Sequence, residues 1–416
     1  MKILELAPYV FVEGHKHGSR NTSGLAYMIR SICDMLAPGN DVRVLTESIL
    51  TGEQRVSGWV LLRRNLWTIL GHFRWRYLRL AFRIWRQDKG LPLIKHLLYC
   101  LSAGQAESYI RAWKPDAVQV HIISHYSFAY YLAAARCGAP LVVTLHGLIS
   151  FSDVTEASPF EKQLERRFIR LCCEEGVSMI FISSGMKARV EQWLGHPCDN
   201  ISVVPNCFRE SVPAESAGKS HTGKRLVCVG SLSELKNQIQ VIRILPALQE
   251  RLGEELTLHI VGAGDRLDEM QELVARNGIQ GVTFCGRLPQ AGVYAELQEA
   301  DLLVFPSREE GFGIPMVEAY RCGVPVVTFR DLDAAEDIYN ACSTVFAADR
   351  SDGALTEAIL SALQRNWDAD AIREWSRHFS MESIAERYQR ELSKAAHRPL
   401  DPARLLRIIE SSNERV

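Results

Sequence analysis

The sequence lacks any uninterrupted apolar run of the roughly 20 residues that a bilayer-spanning helix needs, so none of its segments reads as a membrane span. It also lacks an excess of either charge: 48 Lys and Arg stand against 49 Asp and Glu, a net charge of −1. No global field draws such a chain to nucleic acid or to a membrane, and any attraction of that kind must be local. No nucleic-acid partner is expected. The eleven cysteines include no CxxC pair and no Cys/His spacing of the zinc type, which leaves no metal site to expect from them. They read as mostly buried, reduced thiols of a cytosolic protein, with Cys172-Cys173 the only close pair. The opening residues, Met1 to Leu6, place an acid after a very short apolar run and read as a first strand rather than a secretory leader. No short-period repeat is visible.

What is present is an ordinary folded composition, 47% hydrophobic and 23% charged. A chain of 416 residues is too long for one core, and two domains of roughly 150–200 residues are the default. Short apolar strands alternate with helical patterns. The strands are expected at Lys2–Leu6, Val42–Thr46, Ala117–His121, Leu141–Leu145, Met179–Ile182 and Ile201–Val204, then at Arg225–Val229, Thr257–Val261, Val282–Cys285, Leu302–Phe305 and Val324–Thr328. Most are continuously apolar, as strands covered on both faces are, and strand–helix alternation implies parallel sheets with crossover helices. The expected class is therefore α/β, with two Rossmann-like parallel-sheet domains facing a central cleft. The Ser-, Gly- and Ala-rich stretch between Pro205 and Gly223 has linker composition, and the strand–Gly–helix pattern restarts after it. The domains are expected at residues 1–205 and 224–375, joined by a linker at 206–223 and followed by a helical segment at 376–416.

Open parallel sheets bind ligands outside the carboxyl ends of their strands, so those ends are where chemistry is sought. In the run Val229-Gly230-Ser231-Leu232-Ser233-Glu234-Leu235-Lys236 a strand ends, a glycine turns the chain and a helix begins. Backbone amides there can hold an anion and Lys236 can add a positive charge, although a plain strand–helix turn with a surface lysine has the same spelling. GAGD at 262–265 is likewise only a turn signal. Near the start, Ser23-Gly24 precede a helix with apolar Leu25, Ile29 and Ile32; the alternatives are amides aimed at a ligand or a simple N-cap.

The richest stretch is Ser307 to Val327, SREEGFGIPMVEAYRCGVPVV. Glu310 precedes Gly311-Phe312-Gly313-Ile314, where glycine lets a backbone approach a ligand, and Pro315 suits a first helical turn. Glu318 follows about one turn into that helix. Singly, Glu318 could be an acid at the positive helix end and Glu310 a solvated loop acid. Together with the glycines at a strand's carboxyl end, they suit a ligand that carries both hydroxyls and phosphates, as a nucleotide sugar does. The Asp pairs at 331–333 and 368–370 have no supporting acid cluster and are not read as metal ligands.

These residues resemble the Glu-x7-Glu signature of retaining GT-B glycosyltransferases of family 4, the glycosyl transferases group 1. The likeness covers nearly the whole chain: VGSLSELKN, VVPNCF, ADLLVFPS and TLHGL are similar to the family's stretches, as is the last helix, FSMESIAERYQRELSKAA. The resemblance implies a GT-B fold and a retaining, metal-independent transfer of a hexose from a UDP- or GDP-sugar to a glycan acceptor in cell-envelope polysaccharide synthesis. It implies no cofactor. By this resemblance Glu310 binds donor-sugar hydroxyls and steadies charge at the anomeric carbon. Glu318 holds the ribose. Lys236 and the amides of Gly311-Phe312-Gly313 neutralise the leaving diphosphate, and His146 sits against the sugar. Ser23, Gly24, Gly230, Ser231 and Ile314 complete the donor set. His146 alone could equally be a loop histidine bonded to a carbonyl; His121 also ends a strand. The chain departs from the family's pattern at Ser231, where Arg is usual, at Ser23-Gly24 in place of Gly-Gly, and at DLDAAED, where Glu336 keeps the acid of a Gly-rich turn.

Residues 63–95 are unlike the rest. Leu66, Leu70, Phe73, Tyr77, Ala81 and Ile84 recur at helical spacing, Arg74, Arg76, Arg79, Arg83 and Arg86 fill other faces, and Trp67, Trp75 and Trp85 lie among them. Such a helix suits an anionic membrane interface, or it packs its stripe on the first sheet. A lipid-linked acceptor and a cytoplasmic protein, peripheral on the inner face of the plasma membrane, are the corresponding expectations. Two other functional classes are weighed: a non-catalytic GT-B-like binding subunit, and an epimerase or phosphorylase of the same architecture.

Overall fold

A computed structural model describes residues 1–12, 24–46, 52–88, 90–124, 127–154, 157–208, 221–394 and 400–410. The chain divides into two compact units. The first comprises Met1–Ile182, Met186–Val204 and the described residues from Ile384 onward; the second comprises Ser183–Gly185 and Pro205–Ser383.

The first unit is built on eight strands: β1 (Lys2–Ala7), β2 (Asp41–Thr46), β3 (Gln54–Val56), β4 (Trp59–Leu61), β5 (Ala117–His121), β6 (Leu141–Leu145), β7 (Ser178–Phe181) and β8 (Ile201–Val203). They lie in the order β3-β4-β2-β1-β5-β6-β7-β8, all parallel except the β3–β4 hairpin. β5 and β6 are buried along their whole length, which explains their mostly apolar spelling. The hairpin is a correction to the all-parallel expectation. Its signal was Ser57-Gly58 between apolar residues: both adopt positive φ, 44° and 96°, as a two-residue hairpin turn of the primed kind demands.

The second unit carries β9 (Lys224–Val229), β10 (Leu256–Val261), β11 (Val282–Gly286), β12 (Leu302–Val304), β13 (Val326–Phe329) and β14 (Thr344–Ala347), in the order β11-β10-β9-β12-β13-β14. Every pairing in it is parallel. β14, with two half-buried residues in four, escaped the sequence reading. The helix Gln238–Leu252 buries Val241, Ile242, Leu245 and Leu248, spaced three and four apart, against this sheet's core.

In each unit the chain winds one way from a central strand and then the other. The reversal falls between β1 and β5 in the first sheet and between β9 and β12 in the second. Those are the points at which a doubly wound sheet opens a crevice at its carboxyl edge.

The cysteine expectation needs one correction. Cys173 and Cys198, 25 residues apart, form a disulfide with their Cα atoms 5.9 Å apart. Cys173 therefore pairs across space rather than with its sequence neighbour Cys172, which is a buried thiol. Among the described residues no helix is long and apolar enough to cross a membrane.

The turn after β9 leaves no room for a side chain on its neighbour. A Cβ built on Gly262, whose φ is +148°, would lie 1.8 Å from the Gly230 carbonyl oxygen. We expect Gly262→Ala to destabilise the protein by roughly 2 kcal/mol or more, read as a lower urea midpoint. A change within about 0.5 kcal/mol would contradict this packing.

Candidate functional site

In the second unit the carboxyl edges of β9 and β12 carry the two charged groups that the sequence singles out. Gly230 leaves β9 with φ +151°, and its amide donates to Val261 O at 3.0 Å. The chain then runs to Asn237, whose αL backbone starts the Gln238–Leu252 helix. Lys236, just before it, ion-pairs with Glu310 from the loop after β12. Both side chains retain partial exposure, 18% and 20%, so the pair is open to a ligand. The Lys236 ammonium also stands 5.4 Å from the Phe305 ring centroid.

The two loops are stitched together. The Arg308 amide donates to Leu235 O at 2.8 Å, and the Asn237 side-chain amide reaches Pro306 O. Arg350 donates to the carbonyls of Ser307 and Arg308 at 3.0 and 2.8 Å while holding Asp331 with two bonds of 2.7 Å. Arg350 was not visible as a site residue from sequence: it lies forty residues beyond the loop it fixes. Asp331 of the first Asp pair is thus the partner of an arginine, and Asp368 of the second caps the helix Ala369–Ser376.

The glycine-rich loop leads into the helix Ile314–Arg321, with Gly313 at its N-cap in a left-handed conformation, φ +87°. That φ favours glycine, and a Cβ there would also displace the Met316 methyl, 2.3 Å away. The Phe312 ring is buried edge-on against Phe379, which leaves its main chain rather than its side chain for binding. Glu318 is almost fully buried and accepts a 2.6 Å bond from Gln290. Ser231 is exposed, and its carbonyl accepts from Gln238, whose own side-chain oxygen is buried without a partner among the described residues. Gly24 begins the helix Gly24–Leu36, with open space around it. Ser23 lies outside the described residues, as does most of the expected linker.

The first unit holds a second constellation at its own reversal point. Glu5 of β1 and His121 of β5 are fully buried, and His121 Nε2 lies 2.8 Å from Glu5 Oε2. His121 Nδ1 lies 3.0 Å from Nε2 of His146, which follows β6. His146 Nδ1 is shut off from solvent with no hydrogen-bond partner among the described residues. Burial pushes the Glu5 carboxyl up to about 8 and His121 down to about 3. Burial and then the neighbouring His121 hold His146 well below the usual imidazole range. Around neutral pH the contact between Glu5 and His121 is therefore a hydrogen bond between largely neutral groups rather than an ion pair.

Local backbone holds this arrangement. Ile122, a β-branched residue directly after His121, has φ +60°, an uncommon and costly conformation. Its carbonyl accepts the Tyr131 and Ser127 hydroxyls at 2.5 and 3.0 Å, and its amide donates to Thr144 O. His146 and His121 stand out in the sequence at strand ends, and Glu5 does not. The available signal was an acid in the middle of an otherwise apolar buried strand.

The basic, aromatic stretch divides into three helices, Leu66–Gly71, Trp75–Gln87 and Leu93–Trp113, rather than one continuous stripe. Tyr77, Ala81 and Ile84 are buried, but Leu66 and Leu70 are exposed, which corrects the single-stripe expectation. Arg64 is fully buried against Tyr130 and Gln105, and Arg76 pairs with Glu107 at 3.1 Å. What stays outside is concentrated: Leu66, Trp67, Leu70, Trp75, Phe82 and Ile94 are the exposed large hydrophobic residues of the described chain. Trp75, Arg79, Phe82, Arg83 and Arg86 share the outer face of the second helix. Lys89 lies outside the described residues.

Folding also brings together three potential metal-ligand atoms that no sequence spacing announced. Those of His259, Cys285 and Glu296 lie within 4.8 Å of one another. In this geometry His259 and Glu296 satisfy each other at 2.8 Å, and burial pushes the Cys285 thiol up to about 11.

Residues 23–207 match the family model described as glycosyl transferase 4-like domain, and residues 213–379 match that of glycosyl transferases group 1. Between them the two models span most of the chain, which belongs to the glycosyltransferases they describe. Among relatives, the glycogen synthase of Mycobacterium tuberculosis is 28% identical over 265 residues, 61% of this chain and 61% of that protein. The phosphatidyl-myo-inositol mannosyltransferase of Mycobacterium leprae is 32% identical over 237 residues, 56% of this chain and 60% of that protein. The chain thus spans about three fifths of the length of these curated relatives. Among solved structures, Anabaena HepE in complex with UDP superposes with a TM-score of 0.64 at 18% identity, covering 95% of this chain and 100% of that one. Likeness at that identity establishes the GT-B fold, two Rossmann-like parallel-sheet domains, for this member of the family.

The burial of Glu5 and His121 has opposite consequences for stability. Glu5, raised from 4.5 to about 8, contributes stability that is complete below about 4.5 and is lost as pH rises through about 8. His121, lowered from 6.5 to about 3, contributes stability that is present above about 6.5 and is lost as pH falls through about 3. Between about pH 5 and 8, Glu5→Gln should therefore flatten the decline in unfolding free energy by up to about 1.4 kcal/mol per pH unit. Parallel urea curves of wild type and variant across that range would contradict the assignment.

Proposed function

We propose that the chain is a retaining glycosyltransferase that moves a hexose from a nucleotide-sugar donor to a glycan acceptor without a metal ion. The observation that carries the reading is the Lys236–Glu310 pair at the carboxyl edges of β9 and β12, in a member of this family. A diphosphate brings two negative charges that compete with Glu310 for Lys236, and donor hydroxyls give Glu310 the hydrogen bonds it then needs. Departure of the nucleotide builds negative charge on the diphosphate and positive charge on the sugar ring. Lys236 and the main-chain amides at Gly311 to Gly313 would meet the first, and the Glu310 carboxylate the second. Glu318, buried beside Gln290, is the acceptor proposed for the ribose hydroxyls. The UDP named with the Anabaena structure supports UDP as the first donor nucleotide to try, with GDP as the alternative.

The acceptor proposed is lipid-linked, and the protein peripheral at an anionic membrane surface, in cell-envelope polysaccharide synthesis. The support is the outer surface of residues 66–94, where exposed Trp67 and Trp75 lie among arginines. Tryptophan suits the interfacial region and arginine suits anionic headgroups. The name of the Mycobacterium leprae relative, a mannosyltransferase of phosphatidyl-myo-inositol, points the same way.

Two experiments test these statements. Screening nucleotide sugars with lipid extracts should reveal donor consumption that requires acceptor; Glu310→Gln should lower turnover by at least about a hundredfold while the protein stays folded. Undiminished turnover would end the proposal for Glu310. In flotation with vesicles containing phosphatidylserine, the wild type should rise with the lipid and a Trp67→Ser, Trp75→Ser, Arg79→Ser, Arg83→Ser variant should stay below. Equal behaviour of the two would end the membrane proposal.

A further inference from the structure

We propose that Glu5, His121 and His146 form a proton-wired relay that sets which hydrogen-bonding role His146 Nδ1 offers a hydroxyl-bearing ligand. Three groups stand in line, Glu5 Oε2 to His121 Nε2 at 2.8 Å and His121 Nδ1 to His146 Nε2 at 3.0 Å. A neutral imidazole has one N–H and one bare nitrogen, so each bond in the line dictates the next.

With the Glu5 carboxyl protonated, its O–H donates to His121 Nε2. His121 must then carry its proton on Nδ1 and donate to His146 Nε2, and His146 must carry its own on Nδ1. The line ends in an N–H donor at His146 Nδ1. With Glu5 ionised, every bond reverses: His121 Nε2–H donates to the carboxylate, His146 Nε2–H donates to His121 Nδ1, and His146 Nδ1 is left as a bare acceptor. One proton leaves the line, formally from the Nδ1 end, and no imidazolium is formed at either stage.

Three further observations fit this. His146 Nδ1 has no partner among the described residues and is closed to water, a costly state that a ligand hydroxyl would relieve. The strained Ile122 backbone, clamped by two hydroxyls, fixes His121 so that both of its nitrogens stay in line. The groups that titrate near the line are few. Cys33, from the helix Gly24–Leu36, is buried beside Glu5 and is held well above its usual value by burial and then by Glu5 itself. Asp34 and Arg30 of that helix also act on Cys33 and on each other, at 2.6 Å. Among the described residues, His121 is the titratable group that acts on His146, and burial alone shifts His121. Burial raises the Glu5 carboxyl to about 8, which places the reversal at mildly alkaline pH.

Glu5 and His121 act here as positioning residues, through His146. Only the identity of the ligand, a sugar hydroxyl, rests on the glycosyltransferase reading; the relay is measurable without any ligand. The experiment is nitrogen-detected NMR of the full chain labelled with 15N-histidine, from about pH 6 to about pH 9.5. His146 Nδ1 is expected to change from a protonated to an unprotonated signal as pH rises, with the two His121 nitrogens exchanging roles in step. Glu5→Gln, which keeps the shape but has no titrating proton, should abolish the change while leaving the fold intact by circular dichroism. His121→Asn, should Glu5→Gln fail to fold, should uncouple His146 from Glu5. Tautomers that stay constant across the range in wild type overturn the relay, as does a transition that survives Glu5→Gln. In the transfer assay, Glu5→Gln should remove an alkaline step from the pH profile of kcat, with KM for donor moved less than about threefold. A tautomer switch without turnover in any variant supports the relay and counts against the transferase reading.

Discussion

The account depends on one ion pair, Lys236 with Glu310, set on the two strands between which the second sheet reverses direction. Partial exposure matters as much as the pairing. A fully buried pair would be locked by the cost of separating two desolvated charges, and a fully exposed one would contribute little and be weakly oriented. A half-covered pair lies between these limits: ordered without a ligand, and separable when a polyanion supplies a better partner for the lysine. The surrounding loops maintain that state. Arg350 ties down the carbonyls before Glu310, the Arg308 amide ties one loop to the other, Gly262 occupies a space where a side chain would push the loops apart, and Gly230 and Gly313 hold positive φ angles.

The two units apply a similar plan to different chemistry. Each sheet reverses next to a strand whose carboxyl end leads to polar side chains. In the second unit the groups are charged and partly wet, suited to phosphates. In the first they are neutral and dry, because burial favours the uncharged form of both carboxyl and imidazole. Neutral groups in a line transmit orientation rather than charge. That suits recognition of hydroxyls, where the distinction between donating and accepting decides the contact.

Much of this was legible in the sequence, and the exceptions have physical reasons. Ten of the eleven expected strands match to within one residue at each end because strands covered on both faces are mostly apolar. The eleventh, expected at Val324–Thr328, begins two residues later, after Pro325, which has no amide to give the ladder. Glu310, Lys236 and Glu318 could be singled out because glycines and strand ends mark them locally. Glu5 was marked only as an acid within an apolar strand. Arg350 and Gln290 could not be singled out, since each acts on a residue remote in sequence and only folding makes the neighbours. The Cys173–Cys198 bridge was missed for the same reason. The stripe over residues 66–84 was read as continuous because its spacing survives a break at His72 to Arg74, where one helix ends and the next begins.

The most direct test of the central claim is calorimetric titration of UDP and GDP, without sugar, into wild type, Lys236→Met and Glu310→Gln. The account predicts that Lys236→Met weakens binding of the better nucleotide by about tenfold or more, roughly 1.4 kcal/mol. Glu310→Gln should tighten it, because the lysine is released from a competing acid. If neither variant changes the affinity, or if Glu310→Gln weakens it as much as Lys236→Met, the pair does not hold the diphosphate and the account is wrong.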